Sequence, residues 1–320
     1  MRRSLIVRSV PKAERPIDVH DRMEPDMTLF SRRALATGAI ALPLLAATAT
    51  AAIATELRFA VTDIVGLENL QREWGPFQKA LKDTAGLDFR FFPVPNRTAA
   101  VEALNAKRVD VVLTGPAEYV VFRVRTNAVP VVGLTRPDYF SNIVVRADSP
   151  YNVPADLKGQ KLALGAIGST SRHLGPIQVL ADQGMNPRGD LQITHLSTSV
   201  LLEAVKRGDV AAAGMNNNDF QRLRDRNPDI AFRVIARGRD LPMDLILAGP
   251  HVETRVVDAM RTAFRDHGAK LSAAILSGGD ENQKFKGMHW ITSIRDEDFN
   301  YVRRMYATIG QPQFSEFVGN

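Results

Sequence analysis

The sequence predicts an α/β protein of two lobes with matching topology, and three observations carry that expectation. Short apolar runs alternate with amphipathic stretches from about residue 57 onward, the pattern of strands covered by helices. A β-α-β order occurs twice, beginning at Glu56 and again at Ser141. The 320 residues are too many for one small domain and suit two, at roughly 100 to 200 residues each.

The elements follow in order. Glu56 to Thr62 reads as a strand ending at Asp63, Leu67 to Thr84 as a helix, Asp88 to Pro93 as a strand, Arg97 to Lys107 as a helix and Val109 to Thr114 as a strand. Gly115-Pro116 breaks the chain before a helical segment, Ala117 to Thr126, and a strand, Val129 to Leu134. The second unit opens with the β-branched run Ser141 to Arg146 and continues through the stretch Leu157 to Gly165. A helix from about Ser171 to Gln183, a strand near Gln192 to Leu196, a helix Ser199 to Arg207 and a strand Val210 to Met215 complete it. Strand-like runs at Ala231 to Ala236 and Leu245 to Gly249 precede a helix-rich tail from Glu253.

With 45% apolar and 24% charged residues, the composition is that of an ordinary globular protein. The absence of cysteine removes disulfides, thiolate metal sites, cysteine nucleophiles and a lipid anchor on cysteine together. The first 54 residues hold eight basic and five acidic side chains, an excess that accounts for half of the net charge of +6. Elsewhere Lys and Arg are interspersed with Asp and Glu without a basic-aromatic stripe, which argues against nucleic acid as a partner.

Ser31-Arg32-Arg33-Ala34-Leu35 stands directly before an uncharged, Ala-rich stretch from Ala36 to Ala54. This pattern resembles a twin-arginine export signal, with Ala52-Ile53-Ala54 as an A-x-A cleavage site and a mature chain beginning near Thr55. Pro43 and the many Ala and Thr residues make the stretch a poor permanent membrane span. Met23 and Met27 are alternative starts.

The stretch Gly168-Ser169-Thr170-Ser171-Arg172-His173-Leu174-Gly175-Pro176 is the most informative. It follows a strand and opens a helix, where Ser and Thr cap orphan N–H groups and where hydroxyls, N–H groups and the helix dipole converge on an anion. Read without further context, it is equally an ordinary helix cap. The run resembles the Ser-Thr-Ser-Gly-His/Tyr-Leu signature of the phosphate/phosphite/phosphonate-binding (PhnD-like) transporter proteins. Other pieces resemble that family in the same order: Leu113-Thr114-Gly115-Pro116-Ala117-Glu118-Tyr119, Tyr139-Phe140-Ser141-Asn142-Ile143-Val144-Val145, Asp156-Leu157-Lys158-Gly159, and Glu203 through Val210. The resemblance spans Leu57 to Asp240, and loosely the tail.

The resemblance implies a type II periplasmic binding protein fold, two α/β lobes joined by a hinge with the ligand in the cleft. It divides the chain into a leader (1–54), a first lobe (55–138), a second lobe (139–237) and a return to the first lobe with C-terminal helices (238–320). By position it assigns the ligand's oxygens to Ser169, Thr170 and Ser171, with Thr114 and Tyr139 approaching from the first lobe and the crossover. Where relatives carry a His this chain has Thr198, and where they carry an acidic residue it has Asn216. Asn cannot meet an amino group as an anion, so the expectation is a compact inorganic oxyanion rather than a zwitterionic aminophosphonate. An arsenite-binding, sensor-kinase-linked subgroup of the family relies on a cysteine that this chain lacks.

His173 is a candidate donor or a helix-surface residue, and Glu118 is expected to be a solvated first-turn carboxylate. His195, His251, His267 and His289 show no metal spacing, so neither metal nor cofactor is expected. No G-x-S-x-G elbow, carboxylate pair or ligand set supports an enzyme. The expected role is capture of a small oxyanion in the periplasm for an ABC transporter permease, the alternative being a sensor that presents its closed form to a membrane histidine kinase.

Overall fold

A computed structural model describes residues 56–315; the leader reading lies outside that range. The chain opens with β1 (Leu57–Val61), α1 (Leu67–Ala85), β2 (Phe89–Phe91), α2 (Arg97–Asn105), β3 (Val111–Thr114), α3 (Pro116–Thr126) and β4 (Val129–Leu134). Gly86 ends α1 in the left-handed region, φ 66°, with its N–H donating to the Lys82 carbonyl at 3.0 Å, a geometry that costs glycine nothing. Asn96 caps α2 by accepting from the Ala99 N–H at 2.9 Å, and Pro116 occupies the first turn of α3, where its missing N–H would have been unpaired in any case.

The chain then forms β5 (Phe140–Arg146), β6 (Lys161–Leu164), a π-helical turn (Thr170–Leu174) that runs into α4 (Gly175–Asp182), a short α5 (Pro187–Asp190), β7 (Gln192–His195), α6 (Thr198–Arg207), β8 (Ala212–Asn216), α7 (Asn217–Asp225) and β9 (Phe232–Asp240). It closes with β10 (Asp244–Ala248), α8 (Thr254–Leu276), a two-residue β11 (Trp290–Ile291) and α9 (Asn300–Thr308). Helix α7 has no counterpart in the sequence reading. Its polar run Asn-Asn-Asp-Phe-Gln-Arg-Leu-Arg-Asp holds only two apolar residues, Phe220 and Leu223, and buries Asp219 and Leu223, and the helix is started by the Asn216 cap.

Two sheets result. One has the order β11-β4-β10-β3-β1-β2 and the other β7-β6-β8-β5-β9. In the first, β1 lies parallel to β2 and β3, while β10 returns antiparallel between β3 and β4. In the second, β6 lies parallel to β7 and β8, and β5 runs antiparallel between β8 and β9. The central strands of both are buried throughout, and apolar except for Thr114, Asp244 and Asn216 at their ends, because helices cover both faces. On one face of the first sheet Phe59, Trp74, Phe77, Phe264 and Phe285 form a cluster with edge contacts such as Trp74–Phe77 at 5.5 Å. The second sheet is sandwiched between Ile143, Leu162 and Leu180 on one side and Val144, Ala213 and Leu201 on the other. Among the described residues no helix is long and apolar enough to cross a membrane.

The chain leaves the first sheet between β4 and β5 and comes back between β9 and β10. These two crossings lie side by side, with the Leu241 N–H donating to the Tyr139 carbonyl at 2.8 Å. The loops after β1 and β3 in one sheet, and after β6 and β8 in the other, leave carboxyl ends of parallel strands, the positions at which α/β sheets hold ligands.

Candidate functional site

Thr62 and Asp63 follow β1, and Thr114 ends β3. Register across β1 and β3 sets the two threonine hydroxyls 3.2 Å apart, both buried. Beyond Thr114, Gly115 begins α3 in a crowded spot: a Cβ there would stand 2.9 Å from Glu118 Oε2, 3.7 Å from Thr170 Oγ1 and 3.8 Å from Asp244 Oδ1. Three oxygens on three different segments converge on this glycine, which accounts for its presence.

From the second sheet, the Ser169-Thr170-Ser171 turn follows β6 and is buried. Its helix opens with π spacing: the Leu174 N–H donates to the Ser169 carbonyl at 3.0 Å and the Gly175 N–H to the Thr170 carbonyl. Wider spacing of this kind leaves the first N–H groups outside the helical ladder and is a recurrent device at functional sites. Close packing holds the turn. The Ser141 hydroxyl of β5 donates to the Ser171 carbonyl at 3.0 Å, and a Cβ on Gly175 would collide with that same hydroxyl. None of the three hydroxyls caps its own helix. Thr170 Oγ1 instead accepts the Ala117 N–H at the start of α3, 2.9 Å away, so the turn of one sheet caps a helix of the other. Asn216, at the end of β8, accepts the Asp219 N–H at 2.9 Å and directs its amide toward Ser171 Oγ at 3.4 Å.

Charged side chains surround these neutral groups. Asp63 pairs with Arg97 and with Lys284 (3.3 Å), and Arg97 also pairs with Glu118. Arg136 binds Asp244 at 2.8 Å and lies 3.7 Å over the Tyr139 ring, while Arg172 grips Asp219 with two bonds of 2.5 and 3.1 Å. Burial works to raise the Asp63 carboxyl, but Arg97, Lys284, Arg136 and Arg172 together hold it far below the carboxylate range. Burial raises Glu118 against the pull of Arg97, and raises Asp244 against Arg136. The Tyr139 phenol is pushed up to about 12, by burial first. Arg136 Nε is buried without a hydrogen-bond partner.

The structure brings together Thr114, Tyr139, Thr170, Ser171 and Asn216, with Ser169 one residue behind. His173 is buried at 7% exposure, accepting the Gly168 N–H on Nδ1 at 3.1 Å, with its ring 4.8 Å from that of His195. It supports the turn from behind. Thr198 stands half-buried at the start of α6, and among the described residues no hydrogen bond joins its side chain to the cluster. The expectation of a solvated Glu118 is corrected: at 5% exposure it is buried, because the first turn of α3 faces the second sheet and Arg97 is there to pair with it. Asp63, Arg97, Arg136, Asp244 and Lys284 were not singled out from sequence. They lie as far as 221 residues apart and share no motif; Asp63 alone carried a positional hint, as the residue ending a strand.

Two α/β sheets, linked by paired crossings and closing their strand ends on a buried polar cluster, define a solute-binding protein of the type II periplasmic class. The family model for the periplasmic substrate-binding protein of phosphonate ABC transporters matches residues 59–299. The chain belongs to that family, one of substrate-binding proteins rather than enzymes, which implies a small-molecule ligand, an ABC permease as partner and a periplasmic location. Among solved structures, it is similar to a binding protein component of a phosphonate ABC transporter from Pseudomonas aeruginosa, with 19% identity, 78% of this chain and 84% of that one covered, and a TM-score of 0.62. PhnD1 from Prochlorococcus marinus, in complex with methylphosphonate, gives 18% identity, 80% and 98% coverage and a TM-score of 0.62. A Xanthomonas citri protein bound to ATP gives 17%, 82% and 98%, and 0.65. At these identities the likeness is one of fold.

Proposed function

We propose that the protein captures a small oxyanion of the phosphate, phosphite or phosphonate class between its two sheets and delivers it to an ABC permease. The observation that carries this reading is the buried Ser169-Thr170-Ser171 turn, which opens a helix in one half of the molecule while capping a helix of the other. Its hydroxyls and first N–H groups, with Tyr139 and Asn216 beside them and Thr114 opposite, supply neutral donors at the positive end of a helix. Hydrogen bonds to a charged ligand contribute roughly 1.5 to 3 kcal/mol each, so a handful suffices for tight binding after the entropy of association is subtracted. The Arg136 guanidinium adds formal charge within reach of the same cluster. His173 holds the turn in shape, and Thr198 lies outside the contact set.

In this reading the halves separate to admit ligand, and ligand stabilises the closed arrangement by mass action, adding about 2.7 kcal/mol at 100 times its dissociation constant. The twin-arginine leader, cleaved after Ala54, directs the chain to the periplasm. Replacing Arg32 and Arg33 together by Lys should leave the precursor unprocessed in the cytoplasm; normal export of that variant would remove the twin-arginine assignment.

The binding reading is tested by thermal shift and calorimetry of the chain from Thr55, using phosphate, phosphite, methylphosphonate, 2-aminoethylphosphonate, sulfate and arsenate. At least one phosphorus oxyanion should bind, and Ser169→Ala or Thr170→Ala should weaken it by about 1 to 3 kcal/mol. Unchanged affinity in both variants would end the assignment of the turn. The argument from Asn216 against an amino group no longer discriminates, since Asp63, Glu118 and Asp244 border the cluster as carboxylates.

A further inference from the structure

Beside the polar cluster lies a cavity of about 320 Å³, most of which the binding reading leaves unfilled. Its walls are mostly apolar, with Val101 of α2, Val121 of α3, Tyr306 and Ile309 at the end of α9, and Phe314 after it, while Thr98, Arg125 and Gln311 add polar groups to the lining. Ile167, in the loop that leads into Ser169, completes the lining from the other sheet and is 71% exposed. The inner end is polar, made of Arg97, Glu118, Gly168 and His173.

This inner end is shared with the proposed anion site. Arg97 pairs with both Glu118 and Asp63, and Glu118 Oε2 reaches the Gly115 position that Thr170 Oγ1 also borders. Gly168 completes the partition, since a Cβ there would stand 3.7 Å from Arg97 Cδ. The Arg97–Glu118 pair thus borders both the hydroxyl turn and the mostly apolar chamber. The chamber is contributed by both halves and is as large as the smaller ligand pockets of proteins, which run from about 300 Å³ upward. An inorganic oxyanion would leave most of it unfilled.

Resting on the binding reading above, we propose that the natural ligand is an organic oxyanion whose apolar substituent, a branched alkyl group or an aromatic ring, occupies this chamber while its head group sits at the Ser169–Ser171 turn. The Arg97–Glu118 pair is then the divider that the ligand's stem passes, and Val101, Val121, Ile167 and Phe314 set the preference for the substituent beyond it. Burying a ring or a branched alkyl group against such walls favours the substituted ligand over its methyl counterpart by about tenfold or more.

The test compares phenylphosphonate and tert-butylphosphonate with methylphosphonate and phosphate by calorimetry on the chain from Thr55, in the native protein and in Val121→Trp and Ile167→Ser. The expected result is tighter binding of the two bulky phosphonates, lost in Val121→Trp and reduced several-fold in Ile167→Ser, with methylphosphonate or phosphate affinity unchanged. Ile167 is exposed, so its substitution leaves the fold intact even if Val121→Trp does not fold. Equal affinities across the series, or variants that weaken every ligand alike, would overturn the chamber's role and leave the oxyanion reading standing. Failure of all four ligands to bind would reject the oxyanion reading itself. Truncation after Ser315 supplies the remaining control: a gain in bulky-ligand affinity on removing residues 316–320 would show that the chain's own end fills the chamber, and would reject the proposal.

Discussion

His173 sits at the junction of the hydroxyl turn and the apolar chamber, and its protonation separates structural from functional roles there. Burial, with a smaller contribution from His195, pushes its imidazole down to about 4, against about 6.5 for an unfolded histidine. The folded state therefore resists protonation between these values. The stability that the neutral ring contributes is complete above about pH 6.5 and is lost as pH falls toward 4, by at most about 3 kcal/mol. Urea unfolding of the native chain and of His173→Gln at pH 7, 5.5 and 4.5 should show a shallower decline in the variant. Identical declines would mean that acid destabilisation originates elsewhere. His173 was legible as part of a motif, but its burial was not, since nothing local in the sequence places His195 against it.

Among the elements, helix α9 is fastened by a buried network rather than by apolar packing alone. Asp296, just before it, accepts from the Tyr119 hydroxyl at 2.7 Å and from Arg303 Nη2 at 2.7 Å, while Arg303 Nη1 donates to the Asp296 carbonyl at 2.8 Å. Removing one partner of a buried pair strands the other charge, so Asp296→Ala should cost about 3 to 5 kcal/mol in a urea titration; a loss below about 1 kcal/mol would show that water replaces the carboxylate. The π-helical opening of α4 makes a second prediction of this kind. Gly175 has ordinary helical angles, and only the approach of Ser141 and the Thr170 carbonyl forbids a side chain. Gly175→Ala should cost about 1 to 3 kcal/mol by overpacking and reduce oxyanion affinity as well, because the turn must shift to admit the methyl group. Helices α1 and α2 were readable from apolar periodicity and breakers. Helix α7 was not, because Phe220 and Leu223 are its only apolar residues, too few to mark a helix in so polar a run.

Across the molecule as a whole, the contacts between the two halves among the described residues include Thr170 with Ala117, Arg304 with Asp182 at 2.9 Å, Thr308 with Gln178 at 2.6 Å, Arg239 over the Tyr301 ring, and the apolar packing of Leu174 and Ile309. In the proposed reading these contacts open and reclose, and a ligand binding only the closed form shifts that balance. Small-angle scattering of the chain from Thr55 should show a smaller radius of gyration when a bound phosphonate is saturating; an unchanged radius with calorimetrically proven binding would rule out closure. The crossover near Tyr139 came only with the family resemblance, whereas the alternation of strands and helices, the repeated β-α-β order and the hydroxyl-rich helix start could all be read from the amino acids alone. Each of these is local, written in periodicity, caps and breakers that act over a few residues. The charged ring of Asp63, Arg97, Arg136, Arg172, Asp244 and Lys284 emerges only once the chain has folded, as does the apolar chamber behind it. Ion pairs and cavity walls are assembled from segments far apart in the chain, and a side chain's burial depends on partners that its neighbours in sequence do not name.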